Sequence, residues 1–211
     1  MRLPVTAVLV ALLAVLAGCG SAGLASDRTP TGTVDTPSPA GTTADPTVPD
    51  GFEPAETVEV RVTRVVDGDT LEVRFPDGSE DTVRLVGVDT PEVRVENEPG
   101  EYERVPDTDR GALCLRRAGG NATEYTAARL DGASVTLAFD PLTDRRGGYD
   151  RLLAYVYVDG TNLNHELVAA GHARVYDTEF ALREAFEGSE RAAQSATRGL
   201  WNCREESATN P

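Results

Sequence analysis

Period-two alternation, broken at short intervals by turn residues, is the feature that most constrains this chain. Val58, Val60 and Val62 alternate with Thr57, Glu59 and Arg61, and Leu71, Val73 and Phe75 alternate with Glu72 and Arg74. Side chains two apart share one face of a strand, so each run predicts a strand with one buried face and one wet face. Asp67-Gly68-Asp69 separates the two runs, and Pro76-Asp77-Gly78 turns the chain again into residues 82–86. Gly, Pro and Asp at both breaks are turn chemistry, and three strands joined this tightly form a meander. Two later runs, residues 134–139 and 151–158, bring the strands to five, the last closed by Asp159-Gly160. Pattern alone predicts a small β-barrel accompanied by helices, in the α+β class.

Three helical segments accompany these strands. One covers residues 109–130 and is expected to break at Gly119-Gly120; a short one covers residues 163–170 and stops at Gly171. The last begins near Thr178 and carries Leu182, Ala185, Phe186, Ser189, Ala193 and Ala196 on one face. Gly199 ends it, and Leu200-Trp201 is expected to pack back onto the domain.

Ahead of the domain, Met1-Arg2 and an apolar run over residues 5–16 lead into Leu16-Ala17-Gly18-Cys19. The run is too short for a comfortable membrane span, and a small-residue site directly before Cys is the pattern of a lipoprotein signal over residues 1–18. Cys19 would then be lipidated and would anchor the chain to a membrane; an ordinary cleaved signal or an uncleaved anchor are the alternatives. All three imply export. Residues 19–56 are rich in Thr, Pro, Ser, Gly, Ala and Asp, with Phe52 the sole aromatic, which reads as a disordered tether. The folded domain is expected over residues 57–203, followed by a short tail, residues 204–211.

Charge narrows the function classes. The net charge is −15, and all 20 basic residues are Arg. A negative surface repels nucleic acid at long range, which argues against a stoichiometric nucleic-acid-coating protein but leaves room for a local catalytic pocket. An acidic surface without Lys suggests solvation in very salty water; a high-GC genome would also favour Arg.

Against that acidic background, charged residues recur at turns and strand ends. Asp67-Gly68-Asp69-Thr70 is followed by Arg84-Leu85-Val86-Gly87-Val88-Asp89-Thr90-Pro91-Glu92, and later by Gly148-Tyr149-Asp150-Arg151-Leu152-Leu153-Ala154-Tyr155. Carboxylates gather a hard divalent cation and Arg grips phosphate, so the three segments could build one pocket for a cation beside a phosphodiester. Taken singly, each is also a good turn or strand end.

Together, and in this order, the segments resemble the thermonuclease family, over about Val58 to Trp201. The resemblance implies a five-stranded OB-type barrel with three accessory helices. It also implies a Ca²⁺-dependent nuclease that acts on DNA or RNA and leaves 3′-phosphate ends. It assigns Asp69, Asp89 and the Thr90 carbonyl to the metal, with Asp67 supporting them from behind. Glu92 activates the water; Arg84 and Arg151 clamp the phosphate. Tyr149 and Tyr176 contact base or terminal phosphate.

The chain also departs from the family. Residues 93–117 form an enlarged, acidic segment after Glu92, which puts access of polymeric DNA in doubt, and the family's basic substrate-facing lysines are missing. With Cys19 lipidated, Cys114 and Cys203 remain as a candidate disulfide in an exported chain, or as two buried thiols. Asn121-Ala122-Thr123 is a glycosylation sequon. His165 and His172 have no ligand-spaced partner and read as structural. A monomer is expected. The rival reading is a non-catalytic OB-fold module that binds nucleic acid or a partner at the cell surface.

Overall fold

The computed structural model of the protein describes residues 52–130 and 132–206. The expected signal segment, Cys19 and all but the last five residues of the expected tether lie outside them. A long strand β1 (Glu56–Asp67) pairs antiparallel with β2 (Thr70–Arg74) and with β5 (Ser134–Phe139). β2 continues into β3 (Glu80–Leu85), and β5 pairs with β6 (Leu152–Val158). Parallel pairing of β3 with β6 closes the ring, so five strands form the OB-type barrel.

Alternation explains which faces went inward. Val60, Val62, Leu71, Val73, Val83, Leu85, Leu137, Leu152 and Val156 are all buried in the barrel core. At roughly 1.5–3 kcal/mol for each large apolar side chain removed from water, this cluster is the main source of the barrel's stability. β1 is longer than the alternating run suggests, because register irregularities between Val62 and Arg64 and between Val65 and Asp67 bend it around the ring. Phe52, which composition places in the tether, packs edge-on against Tyr155 with ring centroids 5.2 Å apart.

Three two-residue strands escape any pattern argument: β4 (Val88–Asp89), β7 (Thr161–Asn162) and β8 (Arg174–Val175). β7 hairpins onto β6, while β4 and β8 form a separate pair with Asp89 opposite Arg174.

Helix α1 (Asp109–Leu130) runs unbroken through Gly119-Gly120, contrary to the expected interruption. Gly119 is there for contact: a Cβ at this position would sit 2.1 Å from the Pro91 carbonyl oxygen. Helix α2 (Leu163–Ala169) is capped by Asn162, whose side chain accepts from the His165 N–H. The next residue but one, Asn164, is fully buried and bridges the residue after β3 to β6, donating to the carbonyls of Val86 and Ala154 and accepting from the Val156 N–H.

Helix α3 (Arg183–Ser195) starts five residues later than expected. The Ala181 N–H donates to Asp140 and the Leu182 N–H to the Tyr155 hydroxyl, so these donors are taken by the barrel instead of opening a helical turn. The described residues end in a helical turn, Cys203–Glu206, where Arg204 lies over the Trp201 ring.

A second apolar cluster sits outside the barrel. It comprises Tyr102, Val105, Cys114, Leu115, Ala118, Ala193, Leu200, Trp201 and Cys203. A disulfide joins Cys114 to Cys203 across it, with Cα atoms 5.6 Å apart. The acidic segment after Glu92 is therefore a packed element, anchored at Tyr102 and Val105.

Candidate active site

Barrel register explains why the charged residues meet. β2 and β3 pair with Thr70 opposite Arg84, which puts Asp69 beside the Arg84 side chain. Asp69 and Arg84 form an ion pair, and Arg84 Nη2 donates to Asp89 Oδ1 at 2.7 Å. The other Asp69 oxygen accepts from the Thr90 N–H at 2.8 Å and from the Thr90 hydroxyl at 2.9 Å. Asp69 and Thr90 are buried, and the Arg84 and Asp89 side chains are 16% and 18% exposed. Low exposure strengthens each of these attractions and makes each partner costly to remove.

Gly68 lets this arrangement close. A Cβ there would meet the Thr90 side chain at 2.8 Å and Ala122 at 2.9 Å, so only glycine admits the approach of the β1–β2 turn to α1. The Thr126 hydroxyl from α1 donates to the Gly68 carbonyl at 2.8 Å and fixes the turn. Asp67 sits behind, its carboxylate accepting from the Asp69 N–H.

Arg84, Asp89, Thr90, Glu92, Tyr149, Arg151 and Tyr176 all line one cavity of about 790 Å³. Parallel pairing sets Arg84 level with Leu153, so Arg151 reaches the cavity from the entry to β6. Its guanidinium Nε donates to the Gly148 carbonyl at 3.2 Å and lies 5.5 Å from the centre of the Tyr149 ring. Among the described residues Arg151 has no ion pair, in contrast to Arg84. Tyr149 and Asp150 both take left-handed backbone conformations, φ 59° and 58°, which cost about 1–3 kcal/mol each in a non-glycine residue. Tyr149 is 95% exposed and Tyr176 48%, so both present aromatic surface at the rim.

Glu92 projects an exposed side chain into the same cavity. Although the side chain reaches solvent, partial desolvation of the carboxyl group against the cavity wall and the nearby charges of Asp67 and Asp89 raise its pKa above the ordinary value, while Arg84 and Arg151 pull it down. Its charged neighbourhood therefore contains Asp67, Asp89 (one of the two expected metal acids) and both expected arginines.

Two residues here carried no sequence signal of their own. Arg174 donates to Asp89 Oδ2 at 3.0 Å, pairs with Glu101 at 3.0 Å and lies over the Tyr102 ring. Asn97, buried, accepts from the Glu92 N–H at 2.7 Å and donates to the Glu92 carbonyl at 2.8 Å. Arg174 stands two residues before Tyr176, the one sequence feature that associates it with the site. Among the described residues no group of three or more His, Cys, Asp or Glu side chains is arranged to hold a metal; Arg84 stands between Asp69 and Asp89. His165 hydrogen-bonds Ser189 and stacks on Phe186, and His172 stacks against Tyr125, so both serve packing.

Comparison with known proteins agrees with this geometry. The profile of the staphylococcal nuclease homologue family matches residues 82–203. The chain is 37% identical over 149 residues to an uncharacterized protein of Methanocaldococcus jannaschii, covering 67% of this chain and 70% of that one. It is 34% identical over 148 residues to endonuclease YncB of Bacillus subtilis, covering 69% and 62%. It is 30% identical over 154 residues to a thermonuclease of Staphylococcus hyicus, covering 72% and 80%. The protein belongs to the staphylococcal nuclease homologue family.

Proposed function

We propose that the chain is a Ca²⁺-dependent nuclease that hydrolyses phosphodiester bonds of DNA outside the cell, with RNA as a second candidate substrate. The observation that carries this reading is the bonded set Asp69–Arg84–Asp89–Thr90, of which Arg84, Asp89 and Thr90 share one cavity with Glu92 and Arg151 while Asp69 lies buried against Arg84 and Thr90. Asp69, Asp89 and the Thr90 carbonyl are the residues that would hold the cation. Their donor chemistry fits: all are hard oxygens, and two carboxylate Oδ1 atoms already share one positive group. Calcium bound there supplies positive charge beside the phosphoryl oxygens.

The remaining roles belong to the protein. Glu92 orients a water and accepts its proton as the water attacks phosphorus in line. Arg151 has both terminal guanidinium nitrogens to donate to the non-bridging oxygens, and Arg84 would join it once a cation took its place between Asp69 and Asp89; their grip tightens as charge builds in the transition state. The 5′-oxygen leaves, so products carry 3′-phosphate ends. Tyr149 and Tyr176 give bases a stacking surface that tolerates any sequence, worth ~1–3 kcal/mol per base. Export and membrane tethering through a lipid on Cys19 rest on the apolar run ending in Leu16-Ala17-Gly18-Cys19.

A cleavage assay on single-stranded DNA and RNA, with Ca²⁺ and with chelator, tests the reading. The expected result is degradation that chelator stops and fragments with 3′-phosphate ends. Binding without any cleavage would leave the binding-module reading in its place, and cleavage indifferent to chelator would remove the metal.

A further inference from the structure

Glu92 differs from the other charged residues of the site in how it is held. Asp69, Arg84 and Asp89 are all fixed through their side chains. Among the described residues the Glu92 carboxylate has no hydrogen bond and no ion pair, so its position is set through its backbone. On one side stands Pro91, whose φ is fixed by its ring and whose carbonyl lies against Gly119 of α1. On the other stands Asn97, which engages both the N–H and the carbonyl of Glu92 as a neighbouring strand would.

Asn97 is itself immobilised. It is 5% exposed, and two residues on, the buried Pro99 begins a 3-10 turn that closes with the Tyr102 N–H on the Pro99 carbonyl. Tyr102 is buried in the cluster that the Cys114–Cys203 disulfide ties together. Rigid connection therefore runs from the disulfide through Tyr102 and Asn97 to the backbone of Glu92. A free Asn in an acidic surface loop would face water; this one gives its amide to two backbone groups of a single residue.

We propose that Asn97 is a positioning residue for Glu92, and that the enlarged segment 93–117 braces the water-activating carboxylate. The inference rests on the role given to Glu92 above. Misplacing a reacting group by about 1 Å costs ~10²-fold in rate even when binding is intact. Among the described residues the Asn97 side chain hydrogen-bonds Glu92 and no other residue, so its loss should appear in kcat and leave KM and the Ca²⁺ half-saturation unchanged. Asn97→Asp keeps the acceptor for the Glu92 N–H and loses the donor to its carbonyl, so it should fall between wild type and Asn97→Ala.

The experiment is steady-state cleavage of single-stranded DNA by the whole protein, its Asn97→Ala and Asn97→Asp variants, and Asn97→Ala combined with Glu92→Gln. Thermal unfolding is recorded for each, and rates are taken at a temperature where all are folded. The expected result is a kcat loss of ~10²-fold for Asn97→Ala, a smaller loss for Asn97→Asp, unchanged KM, and little further loss when Glu92→Gln is already present. A lower unfolding temperature with kcat unchanged would overturn the proposal, as would losses that multiply fully in the double variant. Inactive wild type would instead overturn the nuclease reading itself.

Discussion

The site has two halves that the chain supports differently. Its floor, Asp69, Arg84, Asp89 and Thr90, stands on barrel strands and their turns and is locked by side-chain ion pairs and hydrogen bonds. Its flank, Glu92 with Asn97, stands on an insertion whose packing comes from a separate cluster closed by a disulfide. Charges that must stay in place against their own repulsion are held by opposite charge. The Glu92 carboxylate, without a hydrogen bond or ion pair among the described residues, is held by its backbone.

Breaking the flank's support should produce the largest change in stability. The Cys114–Cys203 bond closes a loop with 89 residues of sequence separation. In the chain-entropy model such a loop contributes ~4–5 kcal/mol. Replacing both cysteines by Ser should therefore lower the denaturant midpoint strongly and reduce kcat, while calcium binding measured by calorimetry at a temperature where the protein is folded persists. Equal loss of calcium binding would erase the distinction between the halves.

Arg84→Ala attacks the floor. It leaves Asp69 and Asp89 facing each other without their shared cation, and breaking a buried pair in this way costs ~3–5 kcal/mol. Chemical denaturation should register that loss in the metal-free protein, and added Ca²⁺ should recover part of it. No recovery would argue that the two acids do not share an ion.

Gly119→Ala is a finer probe of the flank. In an unconstrained helix the change stabilises by ~1 kcal/mol. Here the new Cβ would meet the Pro91 carbonyl oxygen at 2.1 Å, so stability should fall by ~1–3 kcal/mol, with kcat falling as Glu92 shifts. A stabilised, fully active variant would show that the backbone at Pro91 yields freely.

The smallest effect concerns pH. Burial lowers the pKa of His165 and His172 below the usual 6.5, so the unfolded chain binds more protons. Their contribution is complete above the unfolded pKa and is lost as pH falls through the folded values. Unfolding temperature should decline on acidification below about pH 6.5, with a shallower decline in His172→Gln. Both histidines pack away from the disulfide cluster, so the slope should be the same with and without the disulfide.

Much of the floor was legible in the sequence because its causes are local. Alternation at Val58–Val62 and Leu71–Phe75 marks strands, and Asp-Gly-Asp between them marks the turn that carries Asp69. The flank was not legible. Asn97 reaches Glu92 through an insertion with no periodicity, and β4–β8, which sets Asp89 opposite Arg174, is two residues long. Gly119-Gly120 reads as a helix break by propensity, and only the Pro91 carbonyl packed against Gly119 shows why glycine sits inside a continuous helix.

The central claim is that floor and flank serve one reaction on one phosphodiester. Initial rates of single-stranded DNA cleavage at saturating Ca²⁺, for wild type against Glu92→Gln and Arg151→Ala, test it most directly. Each variant should retain its fold by circular dichroism and lose ~10²–10³-fold in kcat. Two folded variants that cleave as fast as wild type would contradict it.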